Sequence, residues 1–136
     1  MSVSCGAAKE EFKVMNKEYG KALNKDNIED FINVYFDKEN ETPKTKLLLE
    51  IVTEKLKAIQ AMYSQQRVFH IFGSSILFVY DAVALLCEKI TKENLKEAVV
   101  VKMIDFAHVH PANGEPDENY NTGIQNLVDL MQKANA

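Results

Sequence analysis

The sequence of 136 residues predicts one α+β domain, and three observations carry that prediction. Residues 43–66 repeat apolar side chains at the spacing of one helical face. Residues 68–80 are dense in β-branched and aromatic side chains, which favour strands. Residues 98–106 form a nearly continuous apolar run, the pattern of a buried strand. Helices and strands without an internal repeat indicate a single unit of α+β class.

The N-terminal quarter predicts weaker elements. Residues 12–15 are predicted to form a strand edge, and Gly20 is predicted to interrupt the segment that follows. A helix is expected from about residue 27 to 36, because its apolar side chains fall on one helical face. Asn24 or Asp26 is the expected cap, since both side chains accept hydrogen bonds from the first backbone N–H groups of a helix.

The rest of the chain has clearer boundaries. Thr42-Pro43 should open the longest helix, because a first-turn proline sacrifices no hydrogen bond, and that helix should end near residue 65 or 66. Gly73 should divide the segment 68–80 into two strands or bend one. The remaining predictions are a helical segment at 91–97, a loop at 108–120 and a final helix at 122–134.

Composition excludes several classes of protein. The net charge is −4 with no basic block, so no nucleic-acid partner is expected. The longest apolar run, 76–86, is broken by Asp81 and is too short for membrane insertion. Cys5 lies in an N-terminus with no signal-peptide pattern, whereas Cys87 is expected to be a small buried hydrophobe, so no disulfide is predicted. A reducing compartment, the cytoplasm or the nucleus, is the expected location.

Asp105 is the first candidate functional residue, because it ends the apolar run 98–106 where a strand should meet solvent. A carboxylate at that place can hold Mg²⁺, which prefers oxygen ligands and is often shared with substrate phosphates. The alternative is that Asp105 caps the following turn, which is the commoner role of aspartate in such a segment. The local sequence alone favours the capping role.

The segment after Asp105 contains His108 and His110, which can bind an anionic phosphate, take part in proton transfer or lie as solvated loop residues. Together with Asp105 they can also form a zinc site, although no fourth ligand is evident. Ser74-Ser75 is small and polar, so it permits close approach of a ligand or simply forms a bend. The sequence contains neither a phosphate-binding glycine loop nor a nucleophile paired with a base.

Four segments, taken in order, resemble the inositol polyphosphate kinases, and together they span about residues 12–131. The family includes the multikinases, the inositol hexakisphosphate kinases and the inositol trisphosphate 3-kinases. Tyr-Gly-Lys-Ala-Leu is similar to its Tyr-Gly-Arg-x-Leu, Ser-Ser-Ile-Leu to its Ser-Ser-Leu-Leu, and Asp-x-x-Tyr-x-x-Gly-Ile-x-Asn-Leu to its C-terminal pattern. The fourth segment, Met-Ile-Asp-Phe-Ala-His, contains two of the candidate residues, Asp105 and His108.

The resemblance implies the C-terminal lobe of a two-lobed, SAICAR synthase-like kinase fold, with antiparallel strands packed against helices. It implies ATP-dependent phosphorylation of an inositol phosphate, with Asp105 as the ligand of Mg²⁺ and of the nucleotide phosphates. His108 and Lys21 would bind the inositol phosphate. Lys21 stands where the family has arginine, so the charge is kept but the two-pronged grip on a phosphate is lost.

The family's Pro-x-x-x-Asp-x-Lys-x-Gly motif, which supplies a catalytic aspartate, follows none of the three prolines. No catalytic residue is therefore assigned, residues 1–11 are expected to be a flexible N-terminus, and residues 12–136 are expected to form the lobe without its N-terminal partner. We expect this chain alone to be inactive as a kinase. The alternative is a non-catalytic module that binds inositol phosphates or a protein, such as an N-lobe or a second copy, through its exposed face.

Overall fold

The computed structural model describes residues 14–136, so the prediction for residues 1–11, Cys5 and part of the predicted strand edge lie outside the described residues. Two short 3-10 turns, Lys38–Asn40 and Ala84–Leu86, connect longer elements. The helices and strands are, in chain order, α1 (Lys17–Lys21), α2 (Ile28–Tyr35), α3 (Pro43–Gln65), β1 (Phe69–Phe72), β2 (Ser75–Tyr80), α4 (Lys92–Glu97), β3 (Val99–Ile104), β4 (His108–Pro111) and α5 (Glu118–Ala134).

Helix α3 is the centre of the fold. The Thr42 hydroxyl accepts a hydrogen bond from the Thr45 N–H and the Thr45 hydroxyl accepts one from the Thr42 N–H, so both ends of a capping box are present, and Pro43 occupies the first turn. Helices α2, α4 and α5 and strand β3 complete the core, in which burial of one aliphatic side chain contributes about 2 kcal/mol. The buried hydrophobic side chains of α3 are Leu48, Leu49, Ile51, Val52, Leu56 and Tyr63.

Helix α5 packs along α3 with the side chains that its spacing predicts: Ile124, Val128 and Met131 are buried, and Leu127 is partly buried against the core. It begins at residue 118, four positions earlier than expected from the sequence. Asp117 is the cap, and its carboxylate accepts a hydrogen bond from the Tyr120 N–H at 3.1 Å.

The four strands form two antiparallel pairs. Strand β1 pairs with β4, and β2 pairs with β3. Since β1 leads into β2 and β3 leads into β4, the pairs are two halves of one long ribbon that is interrupted between residues 72 and 75 on one side and between 104 and 108 on the other. The predicted division at Gly73, whose φ is 65°, is confirmed.

Two tyrosines attach α2 to the ribbon. The Tyr35 hydroxyl donates to the carbonyl of Phe78 at 2.7 Å, and the Tyr80 hydroxyl donates to the carbonyl of Tyr35 at 2.6 Å. The two rings meet edge to face at 5.4 Å, a favourable aromatic geometry. The inner face of β2–β3 is thereby fixed against the helices, which leaves the outer face of the ribbon to solvent.

Several local predictions were wrong. Helix α1 continues through Gly20 and is not interrupted there. Its N-terminal end is capped by the Asn16 side chain, which accepts a hydrogen bond from the Tyr19 N–H at 2.9 Å. The residue that caps α2 is Asn27, and its side chain makes no capping bond. Cys87 is exposed, not buried. Only the first residue of β3, Val99, is fully buried, so the run 98–106 emerges progressively into solvent.

None of the described helices has the length and apolar content needed to cross a membrane.

Candidate functional site

A bulge at the interruption of the ribbon carries the leading candidate residue. The last pair of β1–β4 is Phe72 with His108, and the first pair of β2–β3 is Ser75 with Ile104. Residues 73–74 therefore lie opposite residues 105–107, so the second strand contains one extra residue. Such bulges re-aim side chains and are frequent beside active sites.

Asp105 opens this bulge with a left-handed backbone, φ 66°, which is uncommon for a residue with a side chain. Its side chain is exposed, and no hydrogen bond or ion pair to the described residues 14–136 engages the carboxylate. The capping role that the local sequence favours is therefore absent in this part of the chain. Asp105 thus combines a strained backbone with a carboxylate that has no partner among residues 14–136. Such a carboxylate is suited to receive a ligand, and its chemistry fits Mg²⁺.

The strain at Asp105 leads to a stability prediction. Asp105→Gly should unfold with a free energy about 1 kcal/mol higher than Asp105→Ala, because only glycine adopts the left-handed backbone without steric cost. Chemical denaturation of the two variants measures this difference. The same pair of substitutions at Lys102, an exposed position inside β3, is the control. At position 102 the alanine variant should be the more stable of the two. At position 105, a glycine variant that is no more stable than the alanine variant would contradict the left-handed backbone of Asp105.

His108 lies at the other end of the same bulge. It begins β4, so the first part of the loop predicted at 108–120 is instead a strand paired with β1. Its imidazole Cδ2 is 3.9 Å from the point that a Cβ on Gly73 would occupy, so a side chain there would touch the ring. The structure therefore places Asp105 and His108 around one bulge, with Gly73 opposite.

Lys21 is not brought into contact with either of these residues. It ends α1, lies exposed, and its ammonium is 3.4 Å from the Glu18 carboxylate. No hydrogen bond or ion pair within residues 14–136 joins Lys21 to Asp105 or His108. Since an exposed pair of this kind contributes little stability, a phosphate can readily replace Glu18 as its partner.

The zinc alternative does not hold within the described residues. No three histidine, cysteine, aspartate or glutamate side chains among residues 14–136 are arranged to hold a metal ion. A Mg²⁺ ion at Asp105 would therefore take most of its oxygen ligands from water and bound phosphates, which is its usual mode of binding.

A cavity of about 330 Å³ lies behind the bulge, between the β1–β2 turn and α5. The hydroxyls of Ser74 and Tyr120 are buried here and lie near each other, and neither has a further hydrogen-bond partner among the described residues. Burial raises the pKa of Tyr120, so this hydroxyl stays protonated. A larger groove, about 480 Å³, lies between α2 and α5, but none of the candidate site residues lines it. The smaller cavity is therefore the one associated with the site.

Asp117 joins the elements that hold the bulge, and only 2% of it is exposed. Its Oδ2 accepts from the Tyr63 hydroxyl at 2.6 Å and from the Ile71 N–H at 3.0 Å. Burial opposes ionisation, but these bonds and the one from the Tyr120 N–H outweigh it and lower the pKa of the Asp117 carboxyl. Helices α3 and α5 and strand β1 are thus connected through one carboxylate.

Two residues of this region carried no recognisable signal in the sequence. Asp117 was only part of the C-terminal pattern, because nothing local marks it as buried. His70 was not singled out, yet it pairs directly across the ribbon with His110. Both positions become meaningful only when the strand register is known.

Comparison with known proteins gives a consistent result. The family model described as inositol polyphosphate kinase matches residues 3–132. An inositol polyphosphate multikinase of Oryza sativa subsp. indica is 34% identical over 80 residues, which cover 59% of this chain and 26% of the relative. Inositol hexakisphosphate kinase 1 of Rattus norvegicus is 27% identical, with 87% of this chain and 35% of the relative covered.

A solved structure shows the fold. The inositol phosphate multikinase from S. cerevisiae, in complex with ADP and Mn²⁺, matches with a TM-score of 0.70 at 24% identity. The match covers 88% of this chain and 50% of that one, so the predicted α+β kinase fold with antiparallel strands is confirmed. The chain spans between about a quarter and a half of the length of these relatives.

Proposed function

Because this chain belongs to the inositol polyphosphate kinase family, we propose that it supplies the metal and phosphate contacts of an ATP-dependent inositol phosphate kinase. In this proposal Asp105 would hold Mg²⁺, which would neutralise charge on the nucleotide phosphates, and His108 and Lys21 would bind the inositol phosphate. The observation that carries the proposal is the ribbon bulge, which has an exposed carboxylate, Asp105, at one end and an exposed imidazole, His108, at the other. The ADP and Mn²⁺ bound by the yeast relative support it.

The separate roles proposed for Asp105, His108 and Lys21 follow from the requirements of phosphoryl transfer. In that reaction the protein mainly positions the reactants and neutralises charge on the transferred group. An ion at Asp105 would supply the neutralisation, while His108 and Lys21 would orient the acceptor. We propose that transfer also needs the Pro-x-x-x-Asp-x-Lys-x-Gly motif of the family, which residues 1–136 do not contain.

The acceptor contact is tested at Lys21. Lys21→Gln should weaken binding of inositol trisphosphate about fivefold, since one exposed charge-assisted contact contributes about 1 kcal/mol. Lys21→Arg should bind at least as tightly as the wild type, because a guanidinium grips a phosphate with two parallel N–H groups. Isothermal titration calorimetry measures both. Lys57→Gln, on the exposed side of α3, is the matched control, and equal losses at positions 21 and 57 would exclude a specific role for Lys21.

A second candidate is the non-catalytic module, which the outer face of β2–β3 favours. Leu77, Val79 and Ile104 are each 38–48% exposed on that face, and an exposed apolar patch is typical of a protein contact. An N-lobe or a second copy of the chain would be the partner. Both candidates predict that the isolated chain binds inositol trisphosphate without transfer of phosphate from ATP. Self-association of the chain through this face, measured by light scattering, would support the second candidate.

A further inference from the structure

All three histidines of the chain lie on one face of the β1–β4 half of the ribbon. His70 is paired directly with His110, and His108 is paired with Phe72. Directly opposite residues share a face of a ribbon, and so do residues two apart on one strand. His70, His108, His110 and Phe72 therefore form one surface, which we call the histidine face.

The contacts of the histidine face orient its rings and leave nitrogen atoms available. The Phe72 and His110 rings meet edge to face with centroids 5.4 Å apart. The Nε2 atom of His70 is 3.1 Å from the carbonyl oxygen of Glu115, so the ring is held by one nitrogen. Within residues 14–136, no hydrogen bond engages the imidazoles of His108 and His110, and both side chains are exposed.

The chemistry of this face suits a ligand with several phosphates. The Cβ atoms of a directly opposed pair lie about 5 Å apart, so the imidazoles of His70 and His110 can contact neighbouring phosphate oxygens. Histidine gains positive charge as the pH falls from about 8 to about 6. The charged groups on the adjoining segments are Asp105 in the bulge, Arg67 before β1, and Glu115 and Asp117 before α5. Asp117 accepts hydrogen bonds from Tyr63 and Ile71 and also attracts His70 electrostatically.

We propose that His70 and His110 bind phosphate groups of a polyphosphorylated ligand and extend the contact assigned to His108 along the ribbon. A charged donor makes a stronger hydrogen bond to a phosphate oxygen than a neutral donor does. The ligand class, an inositol phosphate, rests on the proposed function. The phosphate contact itself rests on the strand register, on the exposed ring of His110 and on the half-buried ring of His70, and it requires neither a metal nor a nucleotide.

Calorimetry with inositol trisphosphate and EDTA, at about pH 6 and about pH 8, tests this inference. The wild-type chain should bind about tenfold more tightly at the lower pH. The double variant His70→Gln/His110→Gln should lose most of that gain, and the single variant His110→Gln, at an exposed position, should lose part of it. Protonation of the ligand is common to all of these proteins, so the difference between them reports the imidazoles. An unchanged pH dependence in the double variant would overturn the inference.

Further titrations distinguish failure of this inference from failure of the proposed function. Inorganic phosphate should show a much smaller gain, and an equal gain would overturn the claim that the face recognises several phosphates together. The titration contains EDTA and no magnesium, so binding under these conditions would support a metal-free contact, whereas binding that appears only when magnesium is added would overturn it. If Asp105 controls magnesium-dependent nucleotide binding while His70 and His110 leave the pH dependence unchanged, the inference fails and the proposed function stands. If instead Asp105 does not affect magnesium-dependent nucleotide binding while the substitutions of His70 and His110 change the pH dependence, the metal contact is contradicted and the inference stands.

Discussion

Replacement of Asp117 by asparagine should lower the free energy of unfolding by about 3 kcal/mol, the largest stability loss expected from any single polar substitution in this chain. The amide cannot accept from the Tyr63 hydroxyl, the Ile71 N–H and the Tyr120 N–H together, because one oxygen acceptor becomes an NH₂ donor. At least one buried donor is then left without a partner. Urea denaturation at neutral pH measures the effect.

Asp129→Asn is the matched control, because that exposed carboxylate on α5 accepts, among the described residues, only from the Gln125 side chain, at 2.8 Å. It should cost less than about 0.5 kcal/mol. The Asp117 variant should also change the response to acid. A carboxyl whose pKa is lowered on folding stabilises the protein above about pH 4, and this contribution is lost as the pH falls through the folded pKa. The Asp117→Asn variant should lack this acid-dependent contribution to the free energy of unfolding. If Asp117→Asn and Asp129→Asn lower the free energy of unfolding equally, the bridging role of Asp117 is refuted.

Replacement of Asp105 by asparagine should reduce magnesium-dependent binding of ADP by about a hundredfold or more, the largest functional effect expected. The amide keeps the size and the tolerance for a left-handed backbone but loses the negative charge that an ion requires. Calorimetric titration of ADP with magnesium present gives the affinity. Asp81→Asn is the control, since that carboxylate accepts from the Val83 N–H at the far end of the ribbon. Equal affinities for the wild type and Asp105→Asn would contradict the proposed metal contact.

The helices were predictable because their signals are local. Thr42 and Pro43 mark the start of α3, and the helical spacing of its apolar residues identifies the buried side. The same spacing identified α5, although its first turn was missed because Asp117 follows Pro116 in a segment rich in turn residues. The division at Gly73 was also local, since a glycine with positive φ ends one strand and begins another.

The site was less predictable because it depends on pairing between distant segments. Strand β4 has four residues, all exposed, so only its hydrogen bonds to β1 make it a strand. The bulge exists because the register shifts by one residue between the two halves of the ribbon, and no local pattern encodes that shift. The same pairing brings His70 opposite His110. The family resemblance identified Asp105 and His108, but the backbone strain at Asp105 became visible only in three dimensions.

The most direct test of a metal site at the bulge is paramagnetic broadening by Mn²⁺, the ion found with ADP in the yeast relative. Spectra of the ¹⁵N-labelled chain would be recorded with ADP while Mn²⁺ replaces Mg²⁺. We predict that the amide signals of residues 104–108 and 73–75 broaden first, and that Asp105→Asn prevents the effect. Broadening centred instead on the exposed carboxylates Glu50 and Glu54 of α3, unchanged by Asp105→Asn, would contradict the assignment of the metal to Asp105.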